Sequence, residues 1–372
     1  MRADLKQTGR ILMTLDAVGG VWRYAIDAAR GLAAEGLQTI LVGFGPRPSE
    51  VQVQEITRLG MPWIWRDEQL DWLAQSPQEI AGIPGVLHDL VRQFDADVLH
   101  LNLPSQAHGL ETDLPVVVVS HSCVVTWWRA VYPETELPVD WHWLRVANRA
   151  GFDRADLVLT PTTSHAEAIR SAYGPIRSIA AVPNATYGAG QSIAKEPFVL
   201  SVGRWWDAAK NGAVLEECAR YADWPIMAAG SLCGPNGQSI AFSHVQALGE
   251  QPSRAIGDLM GRAALFVAPS LYEPFGLAVL EAASAGAALV LADIPSFREL
   301  WQNAAVFADP HDAAAFAAAI NGLSRDSGLR EMLARRAQAQ SRRFTLQRQS
   351  SHLLQAYSDA SGRHGHALAS VA

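Results

Sequence analysis

Short apolar runs alternate with stretches of helical spacing from the start of the chain. Arg10–Leu15 is a short apolar strand, and Gly19-Gly20 marks a turn. Val21–Glu35 then places Tyr24, Ala28, Leu32 and Ala33 on one helical face, and Gly36 stops it. Thr39–Phe44 is the next strand. Buried strands are predicted at Asp97–Leu101, Pro115–Val119, Asp156–Leu159 and Ile179–Val182. The unbroken Val116–Val119 run is typical of a strand covered on both faces. The pattern restarts after Ala185–Glu196, with a strand at Phe198–Val202 and a helix at about Ala213–Tyr221. Further strands follow near Ile226–Ala229, His244–Ala247, Leu265–Ala268, Ala288–Leu291 and Ala305–Phe307. Ser324–Tyr357 is helical in pattern and rich in Arg, and residues from about 359 onward read as a frayed tail. Trp63–Trp72 fits a strand followed by a helix and carries no functional reading.

This alternation predicts an α/β protein with two parallel, doubly wound sheets. The expected division is residues 1–190, residues 191–341, a last helix over 342–358, and a tail over 359–372. A length of 372 residues suits two domains, and 49% apolar residues suffice for two cores. Charge narrows the partners. Residues 1–190 hold 15 Lys and Arg against 21 Asp and Glu, most of the chain's net −7. An acidic first half lacks the electrostatic footprint of nucleic-acid binding and the polybasic patch of a membrane-bound protein. Cys123, Cys218 and Cys233 lack metal-ligand spacing and suit a reducing compartment. Cys123 reads more readily as a small buried hydrophobe than as a nucleophile. No signal peptide or membrane-length apolar run is evident, so a cytoplasmic protein is expected.

The candidate chemistry lies just past two strands of the second half. In Ser270-Leu-Tyr-Glu-Pro-Phe-Gly-Leu-Ala-Val-Leu-Glu281, a loop leads into a helix starting at about Gly276. Ligands of open α/β sheets gather at the carboxyl ends of strands. The helix N-terminus after Phe275 would offer the N–H groups of Gly276 and Leu277 to a phosphate. Glu281, about one and a half turns in, leans back toward that end and suits ribose hydroxyls; Glu273 in the loop suits sugar hydroxyls. Each acid alone reads more readily as a solvated surface group, and only the pair in this setting favours a site. In Ser201-Val-Gly-Arg204-Trp-Trp-Asp-Ala-Ala-Lys210-Asn, Arg204 and Lys210 share one loop and can converge on one anion. A pair of surface cations near Asp207 is the alternative. Gly249 and Glu250, after another strand, are the candidate region for the nucleotide base. In the first half, His121 follows the Val116–Val119 run. His100, Asn102 and His108 follow another strand, and Trp127 and Trp128 offer flat faces on which a sugar stacks; core packing is the other reading of the two tryptophans.

Together these segments resemble the retaining glycosyltransferases of family 4, which have the GT-B fold of two Rossmann-like domains facing across a cleft. Glu273 and Glu281 match that family's Glu, seven residues, Glu signature. Arg204 and Lys210 match its diphosphate-binding pair, Gly19-Gly20 its N-terminal glycine loop, and His121 its donor-contacting histidine. Val182-Pro-Asn-Ala resembles its domain-junction loop, with Ala185 where the family usually has Gly. Trp205-Trp206 is bulkier than usual beside the diphosphate site. The resemblance spans roughly residues 10–358 and implies transfer of a sugar, with retention, from a nucleotide-sugar donor to a hydroxylated acceptor. It also implies that the last helix crosses back to the first domain, and that His121, Arg204, Lys210 and Glu273 serve catalysis. No cofactor or metal is expected, because fixed cations neutralise the leaving diphosphate. Oligomeric state stays open. A nucleotide-sugar epimerase and a non-catalytic nucleotide-binding partner remain competing readings. A dinucleotide-dependent oxidoreductase is disfavoured, because Asp16-Ala-Val-Gly-Gly-Val-Trp is not Gly-x-Gly-x-x-Gly.

Overall fold

The apolar runs become two sheets in which every strand pairing is parallel. The computed structural model describes residues 9–187 and 193–371. The first sheet contains β1 (Arg10–Leu15), β2 (Gln38–Gly43), β3 (Trp63–Trp65), β4 (Val98–Leu101), β5 (Val116–Val119), β6 (Leu157–Thr160) and β7 (Ile179–Ala181). Their order is β3-β2-β1-β4-β5-β6-β7. The second contains β8 (Glu196–Val202), β9 (Ile226–Ala229), β10 (Gln246–Gly249), β11 (Ala263–Ala268), β12 (Ala288–Ala292) and β13 (Ala305–Ala308), ordered β10-β9-β8-β11-β12-β13. Each sheet therefore reverses direction once, between β1 and β4 and between β8 and β11. Such a reversal opens a crevice at the carboxyl ends of the two strands that flank it.

Two compact units result. The first takes the chain up to Arg129, Pro133–Ala185 and the chain from Thr345 on; the second takes Ala130–Tyr132 and Thr186–Phe344. The central strands are buried on both faces, as in Val116–Val119 and Ala263–Ala268, because helices cover both sides of each sheet. In the Trp63–Trp72 stretch, β3 pairs with β2, and turns take the place of the expected helix. Trp65 explains the local fit: its ring lies where a Cβ on Gly43 would sit, 1.9 Å from Cε3, and its Nε1 donates to the Gly45 carbonyl at 3.0 Å.

The Arg-rich C-terminal stretch is two helices, Ser327–Ser341 and Leu346–Val371. The second belongs to the first unit and packs on helix Gly20–Ala34, where a Cβ on Gly31 would come within 2.2 Å of Ser350 Oγ. Leu353, Tyr357 and Ala360 are fully buried there. The tail expected from about residue 359 is instead helical to Val371, and His364 Nδ1 lies 3.3 Å from Asp156. Burial of Ala360 and this polar contact favour continuing a helix already nucleated upstream.

One buried contact ties that helix to the sheet. His100 on β4 has no exposed surface; its Nδ1 lies 2.8 Å from the Tyr357 hydroxyl and its Nε2 3.3 Å from the Tyr24 hydroxyl. Burial lowers the His100 pKa to about 3, so the ring is neutral, and one tyrosine donates while the other accepts. Tyr357→Phe should destabilise the protein by about 1–3 kcal/mol, because it leaves a buried ring nitrogen without its partner. Urea unfolding measures this, and a change within a few tenths of a kcal/mol would remove the tie from the account.

Candidate active site

The reversal point of the second sheet gathers two loops. One follows β8 and the other follows β11, and Ser201 Oγ on β8 donates to the Val267 carbonyl on β11 at 2.6 Å just below them. The loops are stitched by Leu271 N donating to the Ala209 carbonyl at 2.9 Å and by Asn211 Nδ2 donating to the Pro269 carbonyl at 2.9 Å. Asn211 adopts φ 60, a left-handed conformation that Asn tolerates better than most residues. Asp207 caps the short turn Ala208–Lys210 by accepting from Ala209 N at 3.0 Å.

This framework aims both predicted cations. Lys210 Nζ donates to Glu273 Oε2, joining the two loops through largely buried side chains. Arg204 bonds Asp207 at 3.3 Å, and its guanidinium lies 5.4 Å from the centre of the Trp206 ring. The two tryptophans divide the work. Trp205 is buried and donates through Nε1 to the Ala229 carbonyl at 3.0 Å, so it is core. Trp206 backs the guanidinium, a cation–π arrangement. Gly234 leaves room for that ring, since a Cβ there would lie 2.7 Å from it. Each cation thus has one carboxylate that orients it and keeps further N–H donors for an anion.

The Glu273 backbone is fixed as well, because its carbonyl accepts from Ser296 Oγ. Gly276 caps helix Leu277–Ser284 at φ 86, and a Cβ there would meet Phe297 at 2.9 Å. Both facts call for glycine. Phe275 is buried edge-on against Phe344, at 5.5 Å between ring centres. Glu281 is half-buried in the second turn of the helix. Gly249 ends the edge strand β10 and Glu250 follows it, two strands and about 10 Å from β8. Gly249 is tied inward by its carbonyl, which accepts from Gly230 N at 2.8 Å, while Glu250 is exposed.

In the first unit the carboxyl edge holds the remaining candidates. Gly19 caps helix Gly20–Ala34 at φ −160, a backbone that does not require glycine. His121 is half-buried with Nε2 2.8 Å from Asn102 Oδ1, and its ring meets the Tyr24 ring at 4.3 Å. Asn102 is buried and bonded internally, and His100 has both nitrogens engaged in the core. Neither is available to an acceptor, which corrects the reading of these two as acceptor contacts. His108 is exposed. Trp127 and Trp128 are half-buried on helix Val124–Val131, and Trp128 packs edge-on against Trp141 at 5.3 Å.

Two family models match the chain, one in each unit. "Glycosyltransferase Family 4" matches residues 18–186, and "Glycosyl transferases group 1" matches residues 241–340, which contain Glu273 and Glu281. Each unit is thus similar to a glycosyltransferase family over most of its own length. A curated relative, the O-antigen chain mannosyltransferase B of Escherichia coli, is 34% identical over 113 residues, 30% of each chain. The chain spans less than a third of the length of the curated relatives it matches. Among solved structures, the sucrose-phosphate synthase of Thermosynechococcus elongatus superposes with TM-score 0.77 at 16% identity, over 94% of this chain and 98% of that one. Anabaena HepE in complex with UDP-glucose superposes with TM-score 0.72 at 17% identity, over 94% and 99%. These likenesses establish the GT-B fold.

Several residues of the candidate site escape a motif search. Asp207, Asn211 and Ser296 act through backbone capping and loop stitching. Asp207 alone carries a local signal, as an acid directly before a short helical turn. An Asp-x-Asp pair does occur, at Asp95 and Asp97, but it precedes β4 at the opposite edge of the first sheet. There Asp97 accepts from Arg10 N at 2.8 Å and Asp95 from Arg10 Nη1 at 3.1 Å. Cys123 and Cys218 are buried, and burial pushes both thiols up, Cys218 to about 12. Such thiols make poor nucleophiles. Among the described residues, no helix is long and apolar enough to cross a membrane.

Proposed function

We propose that this protein is a glycosyltransferase that moves a sugar, with retention of anomeric configuration, from a nucleoside-diphosphate sugar to a hydroxyl acceptor, without a metal ion. The observation that carries the reading is the Lys210–Glu273 bond, which joins the loop bearing Arg204 and Lys210 to the loop before the Gly276 helix N-terminus at one sheet reversal. As the bond from the anomeric carbon to the phosphate oxygen breaks, the diphosphate gains negative charge. Cations and N–H groups fixed in advance stabilise that charge without reorganising. Glu273 orients Lys210 and faces the sugar, Glu281 takes the ribose hydroxyls, and Gly249 and Glu250 border the base. The acceptor oxygen attacks from the face the diphosphate leaves, and its proton passes to the departing phosphate; this step rests on the family resemblance. The donors UDP-glucose and GDP-mannose are the first to try, since HepE was solved with UDP-glucose and a relative is named a mannosyltransferase. His108, Trp127 and Trp128 are the acceptor-side candidates. With a net charge of −6 in residues 1–190, a neutral saccharide or glycoside fits better than a polyanion.

A thermal-shift panel of UDP, GDP, ADP and TDP tests the donor half, because a ligand that binds the native state raises its stability by mass action. At least one should stabilise the wild type in EDTA and fail to stabilise Arg204→Ala. Turnover should likewise survive EDTA. Loss of turnover restored by Mg²⁺ or Mn²⁺ would contradict the metal-free mechanism.

A further inference from the structure

The hydrogen bonds around His121 determine which of its nitrogens carries the proton. Asn102 Nδ2 lies 2.6 Å from the Thr14 carbonyl oxygen, which can only accept. The amide nitrogen must therefore face Thr14, and Oδ1 must face His121. The Thr14 hydroxyl locks this arrangement. It accepts from Asn102 N at 2.8 Å and donates to Gln106 Oε1 at 2.7 Å. Since Asn102 Oδ1 accepts, His121 Nε2, 2.8 Å away, must donate. A neutral imidazole has one N–H, so Nδ1 carries a lone pair, and it has no hydrogen-bond partner among the described residues. The edge contact with Tyr24 at 63° fixes the plane of the ring.

We propose that Asn102 is a positioning residue that holds His121 as its Nε2-protonated tautomer, so that Nδ1 accepts a hydrogen bond from a hydroxyl of the bound sugar. Three titratable side chains surround the ring: Tyr24 from helix Gly20–Ala34, His100 from β4, and His165 from helix Thr163–Tyr173. None is an anion that would favour an imidazolium, and burial with the two histidines lowers the His121 pKa to about 3. With its single N–H spent on Asn102, His121 has nothing to donate to a phosphate oxygen. Of the donor's sugar and phosphate groups, only a sugar hydroxyl fits such an acceptor. That half of the inference rests on the donor reading above; the tautomer does not.

Long-range ¹⁵N–¹H correlation of the histidine rings in the full chain tests it, with His121 assigned by its loss in His121→Gln. The wild-type ring should be the Nε2–H tautomer and stay neutral as the pH is lowered through the ordinary histidine range. An Nδ1–H tautomer would overturn the proposal. In Asn102→Asp, a carboxylate beside Nε2 should raise the His121 pKa into the observable range. An unmoved titration would show that Asn102 does not control the ring. Adding UDP-glucose or GDP-mannose should shift the Nδ1 resonance, and UDP or GDP alone should not. Equal shifts from sugar nucleotides and bare diphosphates would refute the hydroxyl contact. Silence with all four nucleotides would count against the donor reading and the hydroxyl contact together, while the tautomer result stands on the ring alone.

Discussion

Lys210→Ala should cost the proposed glycosyl transfer at least about a hundredfold in turnover and about ten- to a hundredfold in nucleoside-diphosphate affinity. Two effects add. Loss of a charge-assisted bond to the phosphates removes about 1.5–3 kcal/mol, worth one to two powers of ten. In addition, Glu273 loses the cation it is bonded to, so a largely buried carboxylate then faces the incoming anion. Lys210→Ala combined with Glu273→Ala should recover part of the diphosphate affinity, because the repulsion is gone, yet recover little turnover, because the developing charge still lacks its cation. Calorimetry with the diphosphates and steady-state rates with the sugar nucleotides separate the two effects. Diphosphate affinity unchanged in Lys210→Ala would displace the phosphates from this loop. Failure of the double variant to regain affinity would mean that Glu273 does more than neutralise Lys210.

Gly230→Ala should be among the most damaging single methyl additions in the second unit, and it acts on the site from beneath. Gly230 follows β9 at φ 121, and a Cβ there would stand 1.9 Å from the carbonyl oxygen of Gly203. Gly203 begins the loop that carries Arg204 and Lys210, and its N–H is itself bonded to the Ala229 carbonyl at 3.0 Å. The added methyl therefore combines backbone strain with a steric push on the site loop. The expected cost is about 2–5 kcal/mol, from strain and overpacking together. Gly237→Ala is the matched control: φ is also positive, at 82, but nothing lies within 4 Å of the new methyl. It should cost only the left-handed backbone penalty of about 1–2 kcal/mol and spare nucleotide binding. Urea unfolding and diphosphate titration of both variants decide the matter. Equal losses in the two would mean that strain, not the Gly203 contact, dominates.

Much of the scaffold is legible from one dimension, because buried parallel strands are unbroken apolar runs and their positions need no partner to be seen. Val116–Val119 and Ile226–Ala229 are such runs. The chemistry after β8 and β11 is legible for a related reason: each group sits within a few residues of a strand end, and the sheet fixes where that end lies. Segments governed by side-chain fit are less so. Trp65 over Gly43 turns a tryptophan-rich stretch into an edge strand followed by turns, and the buried Ala360 keeps a helix going where composition suggests a tail.

By itself the sequence determined the two α/β units, the loops that bear Arg204, Lys210, Glu273 and Gly276, and the kinship that those residues carry. Tertiary structure alone decided what each polar side chain has left to offer. His100, Asn102, His108 and His121 look alike as polar residues at or past the end of a strand. Folding spends His100 on Tyr24 and Tyr357 and spends Asn102 on Thr14 and His121, leaving His121 with one free lone pair. The reason is physical: a buried polar group must be satisfied, and its partners are set by neighbours distant in sequence, here 88 residues for Thr14 and Asn102 and 257 for His100 and Tyr357.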